Sequence, residues 1–217
     1  VKFHLNFDDM SLGRDPMGDS QNLTYKAMGS GLTFLSSQLT DETEITGPSA
    51  LKISISSSTE DADIFAVLQV FDPDGQEVVF QGAIDPHTPI GQGWLRASHR
   101  KLDETLSEPY RPYHTHDEIQ RLTPGEVVDL DVEIWPTSIV VPPGYRLGLS
   151  IRGKDYEYAG ASGDKLSNFK NELKGCGPFL HDDPRDRPPE IFDNDVTLHG
   201  GGNGESYILL PIIPAKL

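Results

Sequence analysis

Apolar residues recur at every second position over much of this chain. In LKISISSS, Leu51, Ile53 and Ile55 alternate with Lys52, Ser54 and Ser56. In VVDLDVEIW, Val128, Leu130, Val132 and Ile134 alternate with Asp129, Asp131 and Glu133, and RLGLSI repeats the pattern with Leu147, Leu149 and Ile151. Successive side chains of a strand project to opposite faces, so this period predicts half-buried antiparallel strands with the named apolar residues in the core. IFAVLQVF, Ile64 to Phe71, departs from the pattern because it is apolar on both faces. Such a strand is either central in a sheet covered on both sides or faces a partner surface.

Turn signals separate these segments. DPDG (Asp72–Gly75), TPGE (Thr123–Glu126) and VPPGY (Val141–Tyr145) combine proline, which presets φ, with glycine, which supplies positive φ, and GGGNG (Gly200–Gly204) relies on glycine alone. Pro211 lies within the last apolar run and lacks a ladder donor, which predicts an edge strand there. The pattern yields roughly eight to ten strands and no long helix, so the expected fold is all-β, a two-sheet antiparallel jelly-roll sandwich. One short helix is expected near Leu166–Leu173, within an irregular region from about Lys154 to Asp195. The first 31 residues also look irregular and are expected to be a lead-in or linker from an upstream domain, with the sandwich spanning 32–217.

Composition narrows the function. The 34 acidic and 18 basic residues give a formal charge of −16, and no basic stripe relieves it, which argues against nucleic-acid binding. No apolar run is long enough for a membrane helix. No signal-peptide core opens the chain, so the cytoplasm is the expected compartment. The single cysteine, Cys176, excludes an internal disulfide and reads as a partly buried thiol. Asn22-Leu23-Thr24 is a glycosylation sequon that matters only in a secreted protein.

Candidate chemistry is sparse. Neither Gly29-Ser30-Gly31 nor Gly160-Ala161-Ser162-Gly163 has the spacing of a hydrolase nucleophile elbow. Gly91-Gln92-Gly93-Trp94-Leu95-Arg96 has an arginine where a dinucleotide fingerprint needs a small residue. In GWLRASHR the strand period puts Trp94, Arg96, Ser98 and Arg100 on one face and Leu95, Ala97 and His99 on the other. Ser98 and His99 would then diverge, whereas a serine–histidine pair needs contact at hydrogen-bond distance. No catalytic residue is nominated. His114 and His116 would share a face of an extended segment and suit zinc or copper, but no further ligand is nameable from sequence, the proline-flanked RPYHTHDE reads as a loop, and no metal site is nominated. The acidic loop Asp182–Asp186 offers oxygens but not the spacing of a calcium loop. No cofactor is expected. Trp94 and Trp135 fall on the polar parity of their strands, as sugar platforms or, more commonly, as rings covered by a loop or neighbouring domain. The segment His181–Asp195 carries six carboxylates and two arginines and is too proline-rich for a strand. It is expected to cover the Trp94 face and to pair Arg96 or Arg100.

Taken in order, LTFLSSQLTDETEITGPSALKISISSS, DADIFAVLQVFDPDG, GWLRASHR, RPYH, LTPGE, VEIWPTSIVVPPGYRLGLSI, GCGPFLHDDPRDRPPEIF and SYILLPIIP resemble the C-terminal, non-catalytic β-sandwich of Xaa-Pro dipeptidyl-peptidase and cocaine-esterase-like hydrolases. The resemblance runs from about Leu32 to Pro214. It implies a galactose-binding-domain-like jelly roll whose parent carries its Ser–Asp–His triad on an upstream α/β-hydrolase domain. It further implies packing on that domain, a contribution to its substrate pocket, and in some members a homo-oligomer. The parent would cleave an ester or an Xaa-Pro peptide bond. From the residues alone, a carbohydrate-binding module is the alternative.

Overall fold

The computed structural model describes residues 1–160, 172–202 and 205–214. Its strands are β1 (Lys2–Asn6), β2 (Ser11–Gly13), β3 (Gln21–Lys26), β4 (Leu32–Ser36), β5 (Thr43–Ser57), β6 (Asp63–Phe71), β7 (Glu77–Val78), β8 (Gly91–Arg96), β9 (Val128–Val141), β10 (Arg146–Arg152), β11 (Asp195–Gly200), β12 (Tyr207–Leu209) and β13 (Ile212–Ile213). Among the described residues, helix is confined to a 3-10 turn at Ala97–His99 and a single turn at Pro189–Phe192. The helix expected near Leu166–Leu173 falls mostly outside the described residues, and Glu172 and Leu173 are not helical.

Two long strands organise the pairing. β5 runs antiparallel to β9 along nearly its whole length, while β11, β12 and β13 share its other edge. β6 takes β10 on one edge and β8 and β7 on the other. The β1–β2 hairpin links the two halves, β1 pairing with β12 and β2 with β4. The β2–β4 ladder is parallel, so the sheet is mixed rather than wholly antiparallel. On the opposite side β8 passes so close to β9 that a Cβ at Gly93 would overlap the Glu133 carbonyl.

Side chains from both halves meet in one core. Leu51, Ile53, Ile55, Leu130, Val132, Ile134, Leu147, Leu149 and Ile151 have no exposed surface, and Val128 packs on the core partly buried. Each fully buried side chain of this kind contributes roughly 1.5–3 kcal/mol. β6 is the central strand that its two-sided pattern allows. Ile64, Ala66, Leu68 and Val70 face the core, while Phe65, Val67 and Gln69 face away and are nonetheless buried.

Three expectations are corrected. Residues 1–31 are not irregular: β1, β2 and β3 are built into the sheet, and Phe3, Leu5, Phe7, Leu12 and Tyr25 belong to the core. Their short strands and interspersed Asp and Gly hide the alternation. Pro211 marks an edge only for the residues after it: β12 before it lies between β5 and β1, whereas β13 after it pairs with β5 alone among the described strands. It interrupts the last run opposite the β5 bulge between Gly47 and Ser49, and its carbonyl accepts from the Thr46 amide at 3.0 Å. Finally, β8 ends at Arg96, so Ser98, His99 and Arg100 do not continue its alternation.

Leu5→Ala tests the place of the first segment. Removing a core leucine typically costs about 2–5 kcal/mol, and a urea melt should show a loss in that range. A change within about 0.5 kcal/mol would mean that the segment is a dispensable lead-in.

Candidate functional site

The outer face of β6, β8 and β10 carries Asp63, Phe65 and Val67 beside Arg96, Trp94 and Gln92, as the cross-strand register dictates. A strap from 172 to 194 lies over it. The Asp85 carboxylate accepts from the Gly175 and Gly177 amides at 2.7 and 2.8 Å, and the Gln92 amide donates to the Gly175 carbonyl at 3.0 Å. Further along, Arg187 is buried and donates through Nε to Asp63 at 2.8 Å and through its other nitrogens to the carbonyls of His181 and Gly153.

Asp63 also receives Arg96, through Nε at 2.9 Å and Nη2 at 3.2 Å. The other side of the Arg96 fork holds Asp186 of the strap, with both contacts at 3.0 Å. Phe192 lies beneath Arg96, its ring centre 4.6 Å from the guanidinium carbon. Hydrogen bonding to Asp63 raises the Arg96 pKa above its ordinary value, and Arg96 holds the Asp186 carboxyl below the usual aspartate range. A planar fork satisfies two carboxylates at once in a way lysine does not. Among the described residues Arg100 meets no carboxylate; it donates to the carbonyls of Ala97 and Gln120.

Beside this clasp, Trp94 and Trp135 meet edge to face at 5.3 Å, and Trp135 remains 64% exposed. His181 packs against Phe65 and Trp94, and its Nδ1 lies 2.9 Å from Asp155. This aromatic ridge divides two concavities. One, about 430 Å³, is lined by Trp94, Trp135, Arg96, Glu133 and a group of histidines. The other, about 590 Å³, is largely apolar and runs between Ile90, Pro136 and Phe179, the last 79% exposed.

The remaining candidates are placed as follows. Ser98 is buried, and its hydroxyl donates to Asp61 at 2.6 Å rather than to His99. His99 instead approaches His116, their Nδ1 atoms 3.1 Å apart, with His114 beyond. In the acidic loop, Asp183 is occupied by Arg185 and Asp186 by Arg96. Burial pushes the Cys176 thiol up to about 12. The serine of Gly160-Ala161-Ser162-Gly163 lies outside the described residues. His181, Asp63, Arg187 and Phe179 were not singled out from sequence, because no short-range pattern marks a residue whose partner is far along the chain.

Comparison with known proteins decides the family. Residues 8–204 match the X-Pro dipeptidyl-peptidase C-terminal non-catalytic domain. The chain belongs to this family. Outside the family description, a Mycobacterium tuberculosis protein named as a serine esterase is 33% identical over 154 residues, covering 69% of this chain and 21% of that protein. Cocaine esterase from Rhodococcus sp. is 25% identical over 182 residues, 84% of this chain and 25% of the esterase. The chain thus spans a fifth to a quarter of these curated relatives. A CocE/NonD family hydrolase from Staphylococcus aureus shares the fold with a TM-score of 0.79 at 22% identity, over 98% of this chain and 36% of that one. The chain is therefore a member of a C-terminal, non-catalytic domain family, and it shares its fold with about a third of that longer hydrolase.

In this domain, breaking the buried Asp63–Arg187 pair by Arg187→Ala should cost about 3–5 kcal/mol in a urea melt. Asp186→Ala should cost no more than about 1 kcal/mol, because that carboxylate is largely exposed. Since Asp186 has its pKa lowered in the fold, its contribution is present above the ordinary aspartate value and is lost as pH falls through the folded value. Equal losses for the two variants would contradict the clasp as drawn.

Proposed function

We propose that this domain is the accessory C-terminal sandwich of a larger serine hydrolase that cleaves esters, and that it packs on the α/β-hydrolase domain of its own parent. The match to the non-catalytic family over 8–204 carries the reading. The esterase names of the sequence relatives favour an ester over an Xaa-Pro peptide bond. The exposed Trp135 and Phe179 form the docking face that fits best, since both large apolar side chains line the apolar cleft. Aromatic anchors of this kind dominate the energy of interfaces, and the face would then wall one side of the parent's substrate pocket.

Co-expression of the chain with the upstream hydrolase domain tests this. The two parts should co-purify, and Trp135→Asp with Phe179→Asp should weaken association by about 2 kcal/mol or more, roughly thirtyfold. The joined parts should hydrolyse activated acyl esters, and the 217-residue chain alone should not. No association, or turnover by the chain alone, would overturn the reading. Sugar binding quenching Trp135 fluorescence in the isolated chain would favour a carbohydrate module instead.

A further inference from the structure

Three of the chain's 7 histidines gather on the side of the 430 Å³ cavity away from the strap. The chain path explains their meeting. The 3-10 turn Ala97–His99 leads into 101–103, and segment 113–115 folds back against it. The Asp103 amide donates to the Tyr113 carbonyl at 2.8 Å and the Thr115 amide to the Lys101 carbonyl at 3.0 Å, with Leu102 bridged to His114. This antiparallel return brings His116 back to His99, with ring centres 5.3 Å apart, and His114 lies 6.0 Å from His116.

Three details of the cluster are not explained by packing. The Nδ1 atoms of His99 and His116 face each other at 3.1 Å. Two neutral imidazoles satisfy such a contact only if one of them carries its proton on Nδ1, and two protonated rings would repel. His116 adopts φ of +53°, a left-handed backbone uncommon for residues other than glycine, and such strain concentrates at functional positions. The Nε2 atom of His114 is buried without a hydrogen-bond partner, which leaves its desolvation uncompensated.

We propose that His99 and His116 clamp a divalent transition-metal ion of the zinc or copper class, with His114 as the third ligand. Two imidazole nitrogens bound at about 2.0–2.1 Å to a tetrahedral ion lie roughly 3.3 Å apart, close to the spacing seen here. Imidazole suits zinc, copper and nickel, whereas magnesium and calcium prefer oxygen. As the rings stand, no three metal-binding side chains among the described residues converge on one point. Closing the site requires His114 to turn its ring, which would also give its orphaned nitrogen a partner. Glu133 lines the same cavity. The site stands independently of the hydrolase-docking reading, because its ligands all come from this chain.

Metal-stripped protein titrated with Zn²⁺ by calorimetry, and with Co²⁺ by visible absorption, tests the site. One equivalent should bind, and the cobalt spectrum should show nitrogen coordination. His99→Gln and His116→Asn should each weaken binding by about tenfold or more, whereas His181→Ala, whose ring is held by Asp155, should bind as the parent does. Asparagine tolerates the left-handed backbone at 116, so near-ultraviolet circular dichroism of that variant should match the parent. The proposal is overturned by dissociation constants weaker than about 1 mM, by folded His99→Gln and His116→Asn variants that bind as the parent does, or by loss of binding in His181→Ala.

Discussion

The buried carboxylate of Asp63 is the contact on which the functional face depends. It sits at the start of the central strand and accepts from both Arg96 and Arg187, one from the neighbouring strand and one from the strap. A carboxylate removed from water is tolerated only when its lone pairs are filled by well-placed donors. Here two guanidiniums fill them, and Arg187 spends its remaining donors on two backbone carbonyls. The cost of burial thus becomes a geometric constraint, because losing either arginine removes a charged partner from a carboxylate that water cannot solvate. The irregular strap is held to the sheet where its composition gives no strand of its own.

That constraint shapes what lies around it. With the strap fixed, His181 is wedged between Phe65 and Trp94, and the second apolar face of β6 is closed off. Trp94 is propped edge-on against Trp135, which stays exposed at the rim. The two concavities on either side of this ridge differ in chemistry. One is walled by charge and imidazole, the other by Ile90, Pro136 and Phe179. A face with an apolar half and a polar half is suited to contact with a larger body, which agrees with a domain that makes up only part of its relatives.

Tight packing elsewhere keeps this surface from drifting. Gly93 allows β8 to approach the β9 backbone at the corner between the two halves, so Trp94 and Trp135 are carried on strands in near contact. The Ser98–Asp61 hydrogen bonds hold the 3-10 turn that follows β8, which sets where His99 emerges. A scaffold serine thereby positions a histidine with which it shares no chemistry.

Much of the fold was legible along the chain, because alternation in a strand is a local property: each side chain's face follows from its neighbours two residues away. Leu51, Ile53, Leu130 and Leu149 are core residues for that reason, and the both-sided apolarity of β6 left open a central strand or a partner-facing one, which the closed sheet resolves as central. The same local logic failed where alternation ended, at Arg96, since nothing within GWLRASHR announces the switch from strand to 3-10 turn. It failed again in the first 31 residues, whose strands are too short to show a period. The charge balance of His181–Asp195 pointed to a cationic partner on the sheet, but not to the buried Asp63 that Arg187 seeks. Cross-strand register paired Asp63 with Arg96, and loop closure brought His116 to His99. Such contacts join residues distant in sequence, and their geometry is settled only when the whole sheet closes around its core.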